Sequence, residues 1–391
     1  MPHHSNDKKQ IILFLLLFQC LFAWSQSYFV KTTTPCNTEF LLKTPGRWFK
    51  ATENDYGRAK VTSQQHQELL KRLNTIHQWI YDLYPSPTAV DAQPFYFTND
   101  KYFASQLKLE KLQNGKLRGT EFNGTPVIFY SYTVKFCGYH CGREANELML
   151  GHGCESSTNF IVTINSLDPI FIQLWLDDYY KEIMRVDGRP IKMLSPIVGK
   201  WKGYDVYNSN GIYNPNEKIV FLLHREGMLP YIPVTRKQYL DRSIECLQKF
   251  FENNLKGYDN AEGLGVLMDK KEKEEQIKKQ QKLRDDVLKY YRDELDATTK
   301  QGLLDAPAII FGDITSTFTS YPIFTTETAG GKMLVTENPA YFIKDLPKYI
   351  PQLIIYEIDD CKVCYVDPSL NPYKLIDDNF PIEKLQAMID K

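Results

Sequence analysis

The chain has 391 residues, in which 47 lysines and arginines nearly balance 48 aspartates and glutamates, so the formal net charge is −1. This balance excludes the strongly basic surface that nucleic-acid binding requires. It also gives no general attraction to polyanions or to an anionic membrane surface.

The first 25 residues have the features of a secretory signal peptide. Lys8 and Lys9 precede an apolar run from Ile11 to Trp24, and small residues stand at Ala23 and Ser25, the positions that a signal peptidase reads. The run is too short to cross about 30 Å of hydrocarbon. No later run in the sequence is long enough to span a bilayer.

These features predict an exported protein, periplasmic or extracellular, whose mature chain begins at Gln26 and has no integral membrane span. Lipid attachment at Cys20 is an alternative, but the residues before Cys20 are not the small ones that such processing prefers. By its length the mature chain is predicted to form an N-terminal α+β domain, residues 26–194, and a C-terminal α+β domain, residues 195–391.

The clearest helix of the N-terminal half begins at Thr62. Thr62 and Gln65 have the spacing of a capping box. The pattern ends at Pro85, and the residues Thr38 to Leu42, which precede the helix, are predicted to form a strand. The apolar residues of the helix recur every three or four positions, the spacing of one helical face: Leu69, Leu73, Ile76, Ile80 and Leu83.

Between Pro94 and Leu223 apolar and β-branched runs are separated by turn residues, a pattern typical of antiparallel strands. Asn114–Gly115, Asp187–Gly188 and the Asn210–Gly211 region each separate two such runs. Asn-Gly and Asp-Gly pairs favour hairpins because both positions of a tight hairpin turn need positive φ. The run from Ile170 to Tyr180 fits either a strand or a buried helix.

Two consecutive helices are predicted over residues 235–297. Thr235 and Gln238 have the spacing of a second capping box. Glycines between residues 257 and 265 end the first helix, since each costs about 1 kcal/mol in a helix interior. Its apolar residues recur at helical spacing: Leu240, Ile244, Leu247, Phe251 and Leu255.

The second of these helices has an apolar stripe only in its second half, from Leu283 onward. From Asp269 to Lys282 it carries lysines and glutamates three or four positions apart, which is typical of an exposed helix stabilised by ion pairs. We therefore predict a helical arm whose base packs and whose tip projects into water. A plain solvated helix and a surface that docks a partner protein are the two interpretations of this arm.

The C-terminal part returns to strand. Ala308–Phe311, Met333–Val335 and Leu353–Ile358 are apolar runs, and Val363–Val366 is a candidate partner for the last of them. A short terminal helix is predicted around residue 385. Strand blocks separated by helix blocks, without regular alternation, indicate an α+β fold with mostly antiparallel sheets and a long helical hairpin or arm inserted between C-terminal strands.

The densest group of reactive side chains comprises Cys137, His140, Cys141, His152 and Cys154. Thiolate and imidazole are the usual ligands of zinc, but the spacing matches no familiar zinc pair. In an exported protein, a disulfide among Cys137, Cys141 and Cys154 is the more economical prediction. A cysteine nucleophile at Cys154, with His152 as its base, is a third alternative.

Cys361 and Cys364 are further disulfide candidates. Their spacing is that of a redox motif, but the residues after them predict strand and turn rather than the helix N-terminus that stabilises a reactive thiolate. The mature chain has an odd number of cysteines, so at least one has no partner within the chain. Cys246, beside the apolar stripe of the first central helix, is the predicted free thiol.

The sequence contains no phosphate-binding glycine loop, serine nucleophile elbow or paired-histidine zinc helix. The hypothesis that fits best is an exported, non-catalytic protein, without a cofactor, that binds another protein or an envelope component but not nucleic acid. The alternative is a secreted hydrolase that uses the Cys/His cluster, with or without zinc. Carbohydrate binding is a third hypothesis, and it would be weakened if Trp48, Trp79, Trp175 and Trp201 were all buried.

Overall fold

The structure is a computed structural model that describes residues 29–53, 59–111, 117–150, 157–172, 183–208, 217–259, 270–311, 323–361, 364–365 and 367–391. Its helices are α1 (Thr38–Leu41), α2 (Ser63–Leu83), α3 (Arg236–Asp259), α4 (Lys270–Lys300), α5 (Tyr373–Asn379) and α6 (Ile382–Gln386). Short 3₁₀ turns lie at Asp168–Ile170, Glu327–Ala329 and Pro368–Leu370.

The first part of the chain forms strands β1 (Phe29–Lys31), β2 (Arg47–Trp48), β3 (Thr52–Glu53), β4 (Val90–Phe103), β5 (Gln106–Lys111), β6 (Leu117–Phe122), β7 (Thr125–Gly138), β8 (His140–Cys141), β9 (Glu147–Met149), β10 (Thr158–Ile164) and β11 (Phe171–Ile172). The second part forms β12 (Arg185–Val186), β13 (Arg189–Pro190), β14 (Lys192–Leu194), β15 (Ile197–Trp201), β16 (Tyr204–Asn208), β17 (Glu217–Leu223), β18 (Tyr231–Pro233), β19 (Ile309–Ile310), β20 (Lys332–Glu337) and β21 (Ile354–Asp360).

A nine-stranded sheet is the centre of the fold. Its strand order is β15-β16-β17-β21-β10-β7-β4-β2, with β3 also paired to β4. The long strands pair antiparallel, and only β2 and β3 run parallel to their neighbour β4. A five-stranded antiparallel sheet has the order β11-β14-β20-β18, with β19 also paired to β20. The remaining strands form small antiparallel sheets: β1-β9-β8, β5-β6 and β12-β13.

The sheets and helices form four layers, and three clusters of buried hydrophobic side chains lie between them. Helices α2, α5 and α6 cover one face of the nine-stranded sheet. The other face packs against the five-stranded sheet, whose far side is covered by α3 and α4. Side chains alternate between the faces of a strand, so in β21 Ile354 and Tyr356 face the helices while Ile355 faces the second sheet. This double burial explains the unbroken apolar run of β21.

The prediction of an α+β protein with mostly antiparallel sheets is confirmed at this level. The predicted boundary at residues 194/195 does not separate two sheets, because β10 from one side of it pairs with β21 from the other. The two-domain division stays a prediction. None of the described helices is long and apolar enough to cross a membrane.

One local prediction is wrong. Residues 38–41 form helix α1 rather than a strand, because the Asn37 side chain accepts a hydrogen bond from the Phe40 amide and caps a helical turn. In so short a segment one capping side chain overrides the apolar pattern. The candidate strand Val363–Val366 lies largely outside the described residues, and the described partners of β21 are β10 and β17.

Two of the three predicted turns, Asn114–Gly115 and the Asn210–Gly211 region, lie outside the described residues. The strands on either side of Asn114–Gly115 pair as β5 and β6, and those on either side of the Asn210–Gly211 region pair as β16 and β17. Asp187 and Gly188 have positive φ and connect β12 to β13. The ambiguous run Ile170–Tyr180 is described only to residue 172, where it forms strand β11.

Both predicted capping boxes are present. At the start of α2 the Thr62 hydroxyl accepts from the Gln65 amide at 3.2 Å, and the Gln65 side chain accepts from the Thr62 amide at 3.0 Å. Before α3 the corresponding pair is Thr235 with Gln238, at 3.2 and 2.9 Å. These bonds satisfy amides that have no partner within the helix.

Replacing Thr62 by Ala is expected to lower the free energy of unfolding by about 1 kcal/mol, because an N-cap hydroxyl is lost while the rest of α2 is unchanged. Urea unfolding monitored by circular dichroism measures the change. The neighbouring Ser63→Ala is the matched control and should change stability by less than about 0.5 kcal/mol. Equal losses in the two variants would contradict the capping role.

Candidate functional site

The cysteine and histidine group predicted from the sequence is only partly described. Cys141 forms a disulfide with Cys36, with the two Cα atoms 5.5 Å apart. Cys137 is also disulfide-bonded, and its partner lies outside the described residues. His152 and Cys154 lie within residues 151–156, which are not described. A sulfur held in a disulfide offers no thiolate to zinc, so the zinc hypothesis would require the reduced protein.

His140 lies in β8, directly after β7, and contacts the backbone of Cys364. Its half-buried ring is desolvated, which lowers the pKa, while a hydrogen bond to the Cys364 backbone acts in the opposite direction. Cys361 and Cys364 are joined by a disulfide, and both are buried. Because a thiol substrate cannot reach buried sulfurs, we interpret the Cys361–Cys364 disulfide as structural rather than redox-active.

The backbone around Gly138 packs directly against the same C-terminal segment. A Cβ atom added at Gly138 would lie 2.5 Å from the Cys364 carbonyl oxygen. The Tyr365 hydroxyl donates to the Phe136 carbonyl at 2.8 Å. The end of β7 is therefore held close against Cys364 and Tyr365.

Gly138→Ala is expected to cost about 1–3 kcal/mol of stability, since the added methyl group must displace backbone rather than a flexible side chain. Gly199→Ala, also in a strand, is the control, because no described atom lies within 4 Å of its added Cβ. Thermal unfolding of both variants measures the difference. A Gly138→Ala protein as stable as Gly199→Ala would contradict the close approach.

A buried carboxylate that the sequence did not indicate lies beside this region. Asp91 is fully buried and accepts two hydrogen bonds from Arg47, at 2.9 and 2.7 Å, and one from the Tyr139 hydroxyl at 2.6 Å. Desolvation and the hydrogen bond to Asp91 raise the pKa of Tyr139. Three donors compensate the burial of one charge, so the arrangement is a satisfied structural group.

A second polar group joins the two large sheets. Lys101 at the end of β4 contacts Asp168 at 2.7 Å and Ser166 at 2.9 Å. Lys192 of β14 contacts Glu337 of β20 at 3.3 Å and Asp168 at 3.6 Å. A serine hydroxyl at this distance from a lysine also occurs in Ser–Lys catalytic dyads. Ser166 is only 1% exposed, so a substrate cannot reach its hydroxyl.

The carboxyl group of Asp168 makes the contribution of this polar group to the free energy of unfolding depend on pH. Desolvation raises its pKa, but this effect is limited because 57% of the Asp168 side chain is exposed, and the charges of Lys101 and Lys192 outweigh it and lower the pKa to about 2. A lowered pKa contributes stability above the unfolded value of about 3.9 that is lost as the pH falls toward 2. We expect Asp168→Asn to be less stable than the wild type at pH 6 and to lose less stability between pH 4 and pH 2. Parallel curves of stability against pH would contradict this.

The other histidines and Cys246 have ordinary surroundings. His77 hydrogen-bonds the Tyr132 hydroxyl at 3.0 Å, and burial lowers its pKa. The His224 ring contacts backbone carbonyls. Cys246 is a free and buried thiol, as predicted, and burial raises its pKa to about 12. Within the described part of the chain no three metal-binding side chains form a group that could hold a metal ion.

The remaining feature is the exposed surface of α4. Val287, Leu288 and Tyr291 are buried against α3 and the five-stranded sheet. In contrast, none of the residues 271–286 is buried, and Leu283 is 46% exposed. This half of α4 carries both signs of charge and contributes no buried side chain to the core. Packing of the core therefore does not explain the sequence of this half of α4, whose side chains are accessible to another molecule.

The structure is thus an α+β protein with four layers and at least two disulfides, in which one half of helix α4 is exposed and charged. Comparison with known proteins adds no family to this description. No protein-family model, no curated protein and no solved structure matches the chain.

Proposed function

We propose that the chain is an exported, non-catalytic binding protein, and that the predicted helical arm, residues 235–297, holds the surface that binds another protein. The observation that carries the proposal is the division of α4 into a buried base and a first half, residues 271–286, without a buried side chain. Most of the stability of a protein helix comes from packing of its apolar face, so the exposed half depends on the packed base for its position.

The charges of this surface suit a partner protein better than nucleic acid. Residues 271–286 carry six cationic and five anionic side chains, a net charge of only +1, whereas phosphate binding requires a strongly basic surface. Mixed charges steer and select a partner with complementary charges. A protein partner is therefore favoured over a bare envelope polymer.

The export and non-catalytic parts have their own support. Disulfides such as Cys36–Cys141 form and persist in oxidising compartments, which agrees with the predicted signal peptide. The sulfurs of Cys137 and Cys141 are held in disulfides, and the His140 ring is bonded to backbone. Among the described residues, the Cys/His cluster therefore offers the hydrolase alternative no free thiolate.

Site-specific photo-crosslinking in producing cells tests the proposal. A photoreactive residue is placed at Glu275 or at Lys279, both exposed on α4, and at exposed Gln64 on α2 as the matched control. We expect one discrete crosslinked protein from the α4 positions and none from residue 64. Equal crosslinking from all three positions, or none from α4, would remove the arm as the binding surface.

Export is tested separately by fractionation and N-terminal sequencing. We expect the mature chain to begin at Gln26 and to lie outside the cytoplasm. A full-length chain recovered with the cytoplasmic proteins would contradict export, whatever the result of the crosslinking.

A further inference from the structure

An open furrow of about 730 Å³ runs along the outward face of α2, beside α6. Its volume lies in the range of small-molecule binding sites, about 300–1,000 Å³. The buried face of α2, formed by Leu69, Leu73, Ile76 and Ile80, points away from it into the core. The furrow lies on the opposite side of the four layers from α3 and α4, so an inference about it does not depend on the proposed function.

The furrow has one flat apolar surface, the half-buried indole of Trp79. The Lys384 ammonium of α6 lies over this ring, 5.7 Å from its centre. Trp79 packs at the margin of the core cluster beneath α2, which limits its motion. A fixed aromatic ring in a polar furrow offers a stacking surface to a ligand that has a flat apolar side of its own.

Three amide side chains line the furrow at helical spacing: Gln67, Asn74 and Gln78. The Asn74 oxygen accepts from the Tyr96 hydroxyl at 2.7 Å, which orients the amide so that its NH₂ group can donate to a ligand. Gln78 donates to Asp82 at 2.7 Å, which leaves its own oxygen as an acceptor. Such groups both donate and accept hydrogen bonds, as sugar hydroxyls do.

The charges that line the furrow are mixed. Lys71 and Lys384 are cations, and Asp82, near the C-terminal end of α2, is an anion. An acidic ligand would meet the Asp82 carboxylate, and a cationic ligand would meet two ammonium groups. A neutral ligand rich in hydroxyls avoids both conflicts and can use all three groups as hydrogen-bond partners.

We propose that this furrow binds a neutral oligosaccharide. The C–H face of a sugar ring takes the place of the Lys384 ammonium over Trp79, while its hydroxyls bond that ammonium and the amides of Asn74 and Gln78. Because the site is open to solvent and buries little of its ligand, the affinity is modest, with a Kd of about 0.1 mM.

Isothermal titration calorimetry with defined hexasaccharides tests the proposal. The probes are cellohexaose, maltohexaose and chitohexaose as neutral chains, and hexagalacturonate as an acidic chain. We expect saturable binding of at least one neutral probe, with a Kd that changes less than twofold between 50 and 300 mM salt. No binding of any neutral probe, or tighter and salt-sensitive binding of hexagalacturonate, would overturn the proposal.

The chain offers matched control variants. Lys202 lies 4.3 Å from the ring centre of the half-buried Trp201, outside the furrow, and reproduces the Lys384–Trp79 contact. We expect Lys384→Gln and Trp79→Phe to weaken binding of the neutral probe at least fivefold, and Lys202→Gln and Trp201→Phe to change it less than twofold. Circular dichroism confirms that each variant is folded.

A third furrow variant keeps the test independent of folding. Gln78→Ala changes an exposed side chain and should weaken binding at least threefold with unchanged thermal stability. If the furrow variants bind as well as the control variants, the saccharide binds elsewhere and the proposal is wrong.

Discussion

Replacing Cys36 and Cys141 together by alanine is expected to lower the free energy of unfolding by about 4 kcal/mol. The two residues are separated by 105 positions, and a disulfide that closes a loop of about 100 residues removes about 4.7 kcal/mol of chain entropy from the unfolded state. Urea unfolding under non-reducing conditions measures the loss.

The second described disulfide provides the control. Cys361 and Cys364 are only three positions apart, so the same model gives a smaller effect, about 2 kcal/mol, for the corresponding double alanine variant. Non-reducing mass mapping should recover both bridges in the wild type. Equal losses in the two double variants would show that loop closure does not determine the contribution of these bridges.

Local features of the fold could be predicted because they depend on residues close in sequence. The capping boxes at Thr62 and Thr235 join positions three apart, and both are present. The apolar stripe of α2 likewise predicts its buried face, since the 3.6-residue period fixes which side chains share a face. Segments of four residues such as α1 carry too little periodicity, and there one side chain, Asn37, decided the outcome.

The sheet order could not be predicted from the same patterns. Strand β21 pairs with β10 and β17, which are remote in sequence, and an apolar run does not specify which neighbour it will take. The sequence likewise does not indicate Cys36 as a disulfide partner, because its partner is remote in sequence. Its pairing with Cys141 requires the fold to bring residues 105 positions apart into contact.

The polar groups that the sequence analysis missed have a weak signal at most. Asp91 and Arg47 are 44 positions apart and ordinary in type. Lys192 is the more informative case, because it is a charged residue within the apolar run Ile191–Leu194. A charge in such a run indicates a buried partner, although the sequence does not identify Glu337 as that partner.

Lys192 is the residue whose loss should have the largest effect among these polar groups. Only 18% of its side chain and 8% of the Glu337 side chain are exposed. Opposing effects act on its pKa: burial lowers it, while the charges of Glu337 and Asp168 raise it, and the net shift is upward. A raised pKa contributes stability that is present below the unfolded value of about 10.4 and is lost as the pH rises through the folded value.

Lys192→Met is therefore expected to cost about 3–5 kcal/mol at pH 7, because it leaves the buried Glu337 carboxylate without its cation. Glu337 keeps its hydrogen bond from the Ala104 amide, so neutralising it as well, in Lys192→Met with Glu337→Gln, should recover part of the loss. Lys200→Met is the control: its partner is Asp205 and the lysine is 68% exposed, so its loss should stay below about 1 kcal/mol. If the Lys192 and Lys200 variants lose equal stability, the buried Lys192–Glu337 pair contributes no more than an exposed ion pair.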